Sequence, residues 1–199
     1  MVKEGIPFIT IPLLAAAAFA FFHLWIPAAG FVALALFMAY FFRDPKRTIP
    51  VDDSIVVSAA DGKVTRIDES DAGKLVSVFL SPLDVHINRA PIAGLIKSVT
   101  YVPGKKMPAT SNEASFVNER NSLEITGEKM TVVCTQIAGI LARRIVCWNK
   151  EGDNLELGQK FGLIKFSSRT DLLMPSNVEV LVKIGDRVVG GETIIAKLR

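Results

Sequence analysis

Cysteine and histidine are nearly missing from this 199-residue chain, two of each, and that scarcity removes whole classes of function. Cys134 and Cys147 stand in no Cys-x-x-Cys spacing, and His23 and His86 lie far apart in unlike surroundings. No zinc site assembles from them by a familiar pattern, so no metal is expected. Both cysteines read as small buried hydrophobes of a reducing compartment. Basic residues form no stripe: a net charge of +3 is scattered, apart from Arg43, Lys46 and Arg47. That leaves no footprint for a phosphate backbone, and no nucleic-acid partner is expected. Gly-x-Ser-x-Gly is absent, as is any sustained 3.6-residue period after residue 50. At 50% hydrophobic and 22% charged residues, the chain has enough apolar side chains to bury a core without disulfide staples.

Charge is wholly lacking from residue 7 to 42, where His23 is the only strongly polar interruption. Pro27 divides the run, and Pro12 suits the first helical position, where its missing N–H would be unpaired anyway. Two helices over 12–26 and 28–42 are expected. Each would be roughly 22 Å long, short of the roughly 30 Å hydrocarbon core, which favours a re-entrant or interfacial hairpin over two full crossings. Lys3 on one flank and Arg43, Lys46 and Arg47 on the other place both ends on the cytoplasmic side of the cell (inner) membrane. The apolar stretch runs past every small-residue site, unlike a cleaved signal peptide. His23 reads as a neutral histidine near the Trp25 interface.

Beyond Pro50 the texture changes to short β-branched runs bounded by Gly, Pro, Asp and Asn, at 55–58, 64–67, 75–80, 96–102, 123–126, 131–137 and 178–183. Residues 138–144 make at most a short helical turn or a continued strand. An internal repeat adds to this: Gly152, Asp153, Leu155 and Gly158 recur as Gly185, Asp186, Val188 and Gly191, each copy followed by an apolar strand, 161–166 and 193–198. Paired Gly-Asp turns of this kind look like the hammerhead units of biotinyl and lipoyl carriers, but no lysine occupies an exposed hairpin tip. The expected fold is mainly β, a sandwich or barrel with hammerhead-like repeated turns plus an N-terminal helical membrane hairpin. The expected organisation is an anchor over 1–48 and a β-rich domain over 49–199.

Six segments occur in one order: Phe41-Phe42-Arg43-Asp44-Pro45; Ala60-Asp61-Gly62-Lys63-Val64; Ser81-Pro82-Leu83-Asp84-Val85-His86; Asn118-Glu119-Arg120-Asn121; Gln136-Ile137-Ala138-Gly139 with Arg143-Arg144-Ile145-Val146; and Phe161-Gly162-Leu163-Ile164-Lys165-Phe166 followed by Ser167-Ser168-Arg169-Thr170-Asp171. Together they resemble the short phosphatidylserine decarboxylases, from the apolar segment to the C-terminus. Decarboxylating an α-amino acid leaves a carbanion that needs an electron sink, and without a pyridoxal-type cofactor the protein must make its own carbonyl. The resemblance implies that Ser168 Oγ attacks the carbonyl of Ser167 and that β-elimination splits the chain into 1–167 and 168–199. Hydrolysis then leaves a pyruvoyl group at Ser168, the covalent cofactor for converting phosphatidylserine to phosphatidylethanolamine. Partners implied are that phospholipid, membrane lipid and the chain's own cleaved fragment as a heterodimer; a homo-oligomer stays open.

By the same resemblance His86 is the base that activates Ser168, and Asp61 orients its imidazole. Asn88, Arg89, Asn118 and Arg120 are candidate substrate contacts. Two positions depart from the family pattern. Arg89 stands where longer relatives carry a second histidine, and Ser167 where the family has glycine. A Cβ at a left-handed position costs about 1 kcal/mol or more, which would slow self-cleavage. The rival readings are a processing-deficient, non-enzymatic membrane-tethered β module, which Ser167 favours, and a hydrolase using Ser168, His86 and Asp61.

Overall fold

The computed structural model of the chain describes residues 1–71, 73–105, 107–108, 111, 113–140, 144–166 and 168–199. It forms two units, Met1–Lys46 and Arg47–Arg199.

In the first unit a short 3-10 turn, Lys3–Gly5, leads into α1 (Ile6–Phe21), and α2 (Trp25–Phe41) packs back against it. The break falls three residues before the one expected at Pro27. His23 adopts a left-handed φ of 59° there, so the chain reverses over 22–24. Pro27 instead lies in the first turn of α2, where it removes no helical hydrogen bond. Pro12 lies inside α1 and not at its start. The helices meet through small side chains, Ala16, Ala28 and Ala35, and through Phe19 stacked on Phe31 at 5.4 Å between ring centroids. Phe21, Phe22, Trp25, Ile26 and Leu36 project outward, exposed. Lys3–Phe21 is, at 19 residues, long and apolar enough to cross a membrane; α2, at 17 residues, spans about 25 Å.

The second unit is mainly β. Its elements are β1 (Ile55–Val57), β2 (Gly62–Ser70), β3 (Gly73–Leu80), β4 (Ile87–Arg89), β5 (Gly94–Val102), the one-turn helix α3 (Ala114–Val117), β6 (Arg120–Thr126), β7 (Thr131–Ala138), β8 (Arg144–Cys147), β9 (Asn154–Leu155), β10 (Lys160–Lys165), β11 (Ser168–Met174), β12 (Val178–Val180), β13 (Arg187–Val188) and β14 (Ile194–Leu198). The described strands form an eight-stranded sheet in the order β13-β2-β3-β11-β7-β6-β5-β9 and two three-stranded sheets, β1-β14-β12 and β4-β10-β8. Val64, Val76, Val78, Leu123, Ile125, Val132, Leu172 and Phe161 belong to one buried core. Five strands lie outside the runs expected from the sequence: β4, β8 and β11, and the two-residue β9 and β13, which fall within the repeated turns.

The repeat is a pair of matched turns. Gly152 and Gly185 have φ of 88° and 103°, Gly158 and Gly191 of 71° and 80°. Gly152 N–H donates to Ile96 O at 2.9 Å and Ile96 N–H to Asp153 O at 2.9 Å; Gly185 N–H donates to Val64 O at 2.8 Å and Val64 N–H to Asp186 O at 2.9 Å. The Asp153 and Asp186 carboxylates accept from Lys150 N–H and Lys183 N–H at 3.0 and 2.8 Å. One half-barrel motif is thus used twice, β2 with one turn and β5 with the other. All four glycines need positive φ, but their surroundings differ. A Cβ at Gly158 would lie 2.5 Å from Ile49 Cδ1, while one at Gly152 meets nothing within 4 Å. Gly152→Ala is expected to cost about 1 kcal/mol and Gly158→Ala about 2–3 kcal/mol, read as the larger fall in thermal midpoint for Gly158→Ala.

Candidate active site

β11 is central in the large sheet, and its first residue is Ser168, paired with Leu80 of β3 on one side and Ala138 of β7 on the other. Ser168 is fully buried, and among the described residues its Oγ has no hydrogen-bond partner. A buried hydroxyl is ordinarily satisfied, so an idle one at the mouth of a central strand points to use. Phe166, two residues earlier, has φ of 66°, a left-handed conformation that costs a bulky residue about 1–2 kcal/mol. Ser167, the other half of the expected cleavage pair, lies outside the described residues.

His86 is held by a turn that the sequence spells out. The Asp84 carboxylate accepts from Ser81 N–H at 2.8 Å and Ser81 Oγ at 2.6 Å, closing a four-residue loop, and Arg187 pairs with its other oxygen at 3.1 Å. The Asp84 carbonyl then lies 2.9 Å from His86 Nδ1. A carbonyl only accepts, so Nδ1 carries the proton and the neutral ring keeps its basic lone pair at Nε2. That nitrogen is shut away from solvent.

The orienting contact at Nδ1 therefore comes from Asp84 O, where Asp61 had been expected. Arg47 Nη2 binds both Asp61 oxygens at 2.9 and 2.7 Å, and Gly190 N–H donates to Oδ1 at 2.8 Å. Val57 N–H donates to Pro91 O and Arg89 N–H to Ala59 O, each at 2.9 Å, which ties the segment before Asp61 to the end of β4 after His86.

Ile164 N–H donates to His86 O at 3.2 Å, and Asn88 Nδ2 donates to Thr170 Oγ1 at 3.0 Å. Ser168 lies in sequence between Ile164 of β10 and Thr170 of β11, so the chain on either side of it is tied to His86 and Asn88. A buried polar row backs the second tie. Gln136 Nε2 donates to Asn88 Oδ1 at 2.8 Å and Asn121 Nδ2 to Gln136 Oε1 at 3.0 Å; Thr170, Gln136 and Asn121 are successive cross-strand partners on β11, β7 and β6. Asn88, expected as a substrate contact, is thereby committed to the protein.

Arg89 donates from Nη1 to Gly158 O at 3.0 Å, beside the second turn glycine Gly191. Asn118 accepts from Met107 N–H at 2.9 Å and donates to Met107 O and Ala138 O at 2.9 and 2.7 Å, fastening a loop to the strand end beside Ser168. Arg120 Nη1 donates to Phe116 O at 2.8 Å.

The face of β11 opposite Ser168 carries a pair that the sequence reading did not single out. Arg169 and Asp171 are buried and joined at 2.9 Å between Nε and Oδ1. Arg169 also donates to Ser111 O at 2.9 Å and to Ser115 Oγ, while Ser115 Oγ donates to Asp171 at 2.9 Å. An Arg-x-Asp alternation within a strand was the available signal. Removing one partner strands a buried charge, so Asp171→Asn is expected to lower unfolding free energy by about 3–5 kcal/mol, measured by denaturant titration. Burial pushes the Cys134 and Cys147 thiols up, so neither competes with Ser168 as a nucleophile.

A sequence model of the family described as phosphatidylserine decarboxylase matches residues 34–196. A protein of Symbiobacterium thermophilum named phosphatidylserine decarboxylase proenzyme is 47% identical over 98% of this chain and 94% of its own length. Proteins of the same name from Anaplasma phagocytophilum and Gluconacetobacter diazotrophicus are 45% identical over 98% of this chain and 90% of their own, and 48% over 81% and 77%.

Proposed function

Since the chain belongs to the phosphatidylserine decarboxylase family, and so is an enzyme that decarboxylates phosphatidylserine, we propose that its reactive carbonyl is made from its own Ser168. The observation that carries this is the buried, idle Ser168 hydroxyl, with the chain on either side of it tied to His86 and Asn88.

The self-processing chemistry follows from the residues. His86 Nε2 takes the Ser168 hydroxyl proton as Oγ adds to the Ser167 carbonyl. The amide becomes an ester, and loss of the Cα proton expels the carboxylate of residue 167. Water then hydrolyses the resulting enamine, releasing ammonia and leaving a ketoacyl N-terminus on 168–199. That pyruvoyl carbonyl supplies the electron sink for loss of CO₂. Left-handed Phe166 sets strain next to the scissile bond. Arg89 and Arg120 are the cations offered to the lipid phosphate or carboxylate. The helical unit is the membrane anchor, and the β unit works on the cytoplasmic side.

The test is CO₂ release from phosphatidylserine labelled in the serine carboxyl, before and after borohydride treatment. Reduction of an essential carbonyl is expected to abolish release; undiminished release after exhaustive reduction overturns the reading.

A further inference from the structure

Ser168 is flanked by Leu80 and Ala138, and each flanking strand continues past that row into an exposed aliphatic side chain. Leu83 follows Leu80 and is 62% exposed; Ile140 follows Ala138 and is 54% exposed. Tyr101, near the end of β5 in the same row of strand ends, is 56% exposed. At the opposite end of the sheet, the described residues of the β2–β3 and β6–β7 hairpin tips expose instead Asp71, Glu128 and Lys129.

Charge divides the same way among the described residues. With the Arg47–Asp61 and Arg187–Asp84 pairs set aside, the serine end carries Lys63, Lys105, Arg120 and Arg144 against Glu113, Glu119 and Asp186. The far end, with Lys74–Glu69, Lys129–Asp53 and Lys197–Asp52 paired, is left with Asp71, Glu128 and Glu179 against Arg199. Within the β unit, Arg47 clamped to Asp61 and Gly62 against Phe79 also belong to the serine end.

We propose that the serine end of the β unit is itself a membrane-docking surface, with Leu83 and Ile140 as a pair of aliphatic prongs that enter an anionic phospholipid bilayer on either side of Ser168. The physical logic is that of interfacial binding. Apolar side chains gain by leaving water, and cations around them gain from an anionic surface, while the acidic far end is turned away. The surface rests on the reading of a lipid substrate only in its purpose. Its geometry stands without it.

The experiment uses the full chain bearing Ile140→Cys or, at the far end, Glu128→Cys, each labelled with nitrobenzoxadiazole and compared with parent chain treated alike. Vesicles of phosphatidylglycerol and phosphatidylcholine, with no phosphatidylserine, are added. The label at position 140 is expected to shift to the blue and to be quenched by nitroxide-labelled lipid, while the label at 128 stays in water. Equal, water-like emission at both positions overturns the proposal. A Leu83→Ser/Ile140→Ser variant is expected to self-cleave and to act on monomeric short-chain phosphatidylserine like the parent. On vesicles its kcat/KM falls by about tenfold; parent-like action on vesicles also overturns the proposal. A parent chain that neither splits nor decarboxylates would sink the functional reading and leave the labelling result to decide the surface.

Discussion

Ser168→Ala is expected to leave a single 199-residue chain with no decarboxylase activity. The hydroxyl is the nucleophile that opens the backbone and the source of the carbonyl that replaces it, so one substitution removes both steps. No other described group can substitute: Cys134 and Cys147 are held as thiols by burial, and Thr170 Oγ1 is engaged by Asn88. The loss should match a whole catalytic acceleration, about 10⁶-fold or more. Ser168 is already buried with an idle hydroxyl, so removing the oxygen forfeits no described hydrogen bond, and the variant should fold as the parent does. Denaturation midpoints alongside intact mass check this; two fragments from Ser168→Ala would refute it.

His86→Ala is expected to slow self-cleavage by about 10²–10⁴-fold, the range for a positioned general base. The ring's contact with the Asp84 carbonyl is worth about 1 kcal/mol, and a denaturation midpoint measured beside the rate separates loss of the base from loss of the fold. Time courses of chain splitting measure the rate. Splitting at the parent's rate would remove His86 from the role.

The sequence was most legible where backbone conformation is restrictive. The two Gly-Asp turns could be read because only glycine occupies their positive φ cheaply, and the structure shows all four glycines there. It was least legible where a tertiary partner reverses what a residue ordinarily signals. β11 was missed because Arg169 and Asp171 look like surface residues; they are buried because each neutralises the other and both bind Ser115. β4 and β8 are short strands whose partner, β10, lies far away in sequence. The helix break was assigned to Pro27 on proline's reputation, whereas Pro27 is harmless in a first turn and His23 makes the reversal.

At the site, Ser168 and His86 came from motif resemblance and not from any local physical signal. The Ser81-x-x-Asp84 spacing, a side-chain-closed turn, was the available clue to how His86 is held. Asp61 was expected to orient the imidazole, whereas its hydrogen bonds go to Arg47 and Gly190. No local pattern could announce the Asn88–Gln136–Asn121 row, since its members come from three separate strands.

The central claim is conversion of Ser168 into a ketoacyl N-terminus, and intact mass of the purified chain tests it most directly. The account predicts two species, 1–167 and a 168–199 fragment lighter than the hydrolysed peptide by one ammonia; where Ser167 holds cleavage back, Ser167→Gly should release the same pair. A folded Ser167→Gly chain that stays whole, or a 168–199 fragment that begins with an intact serine, would contradict it.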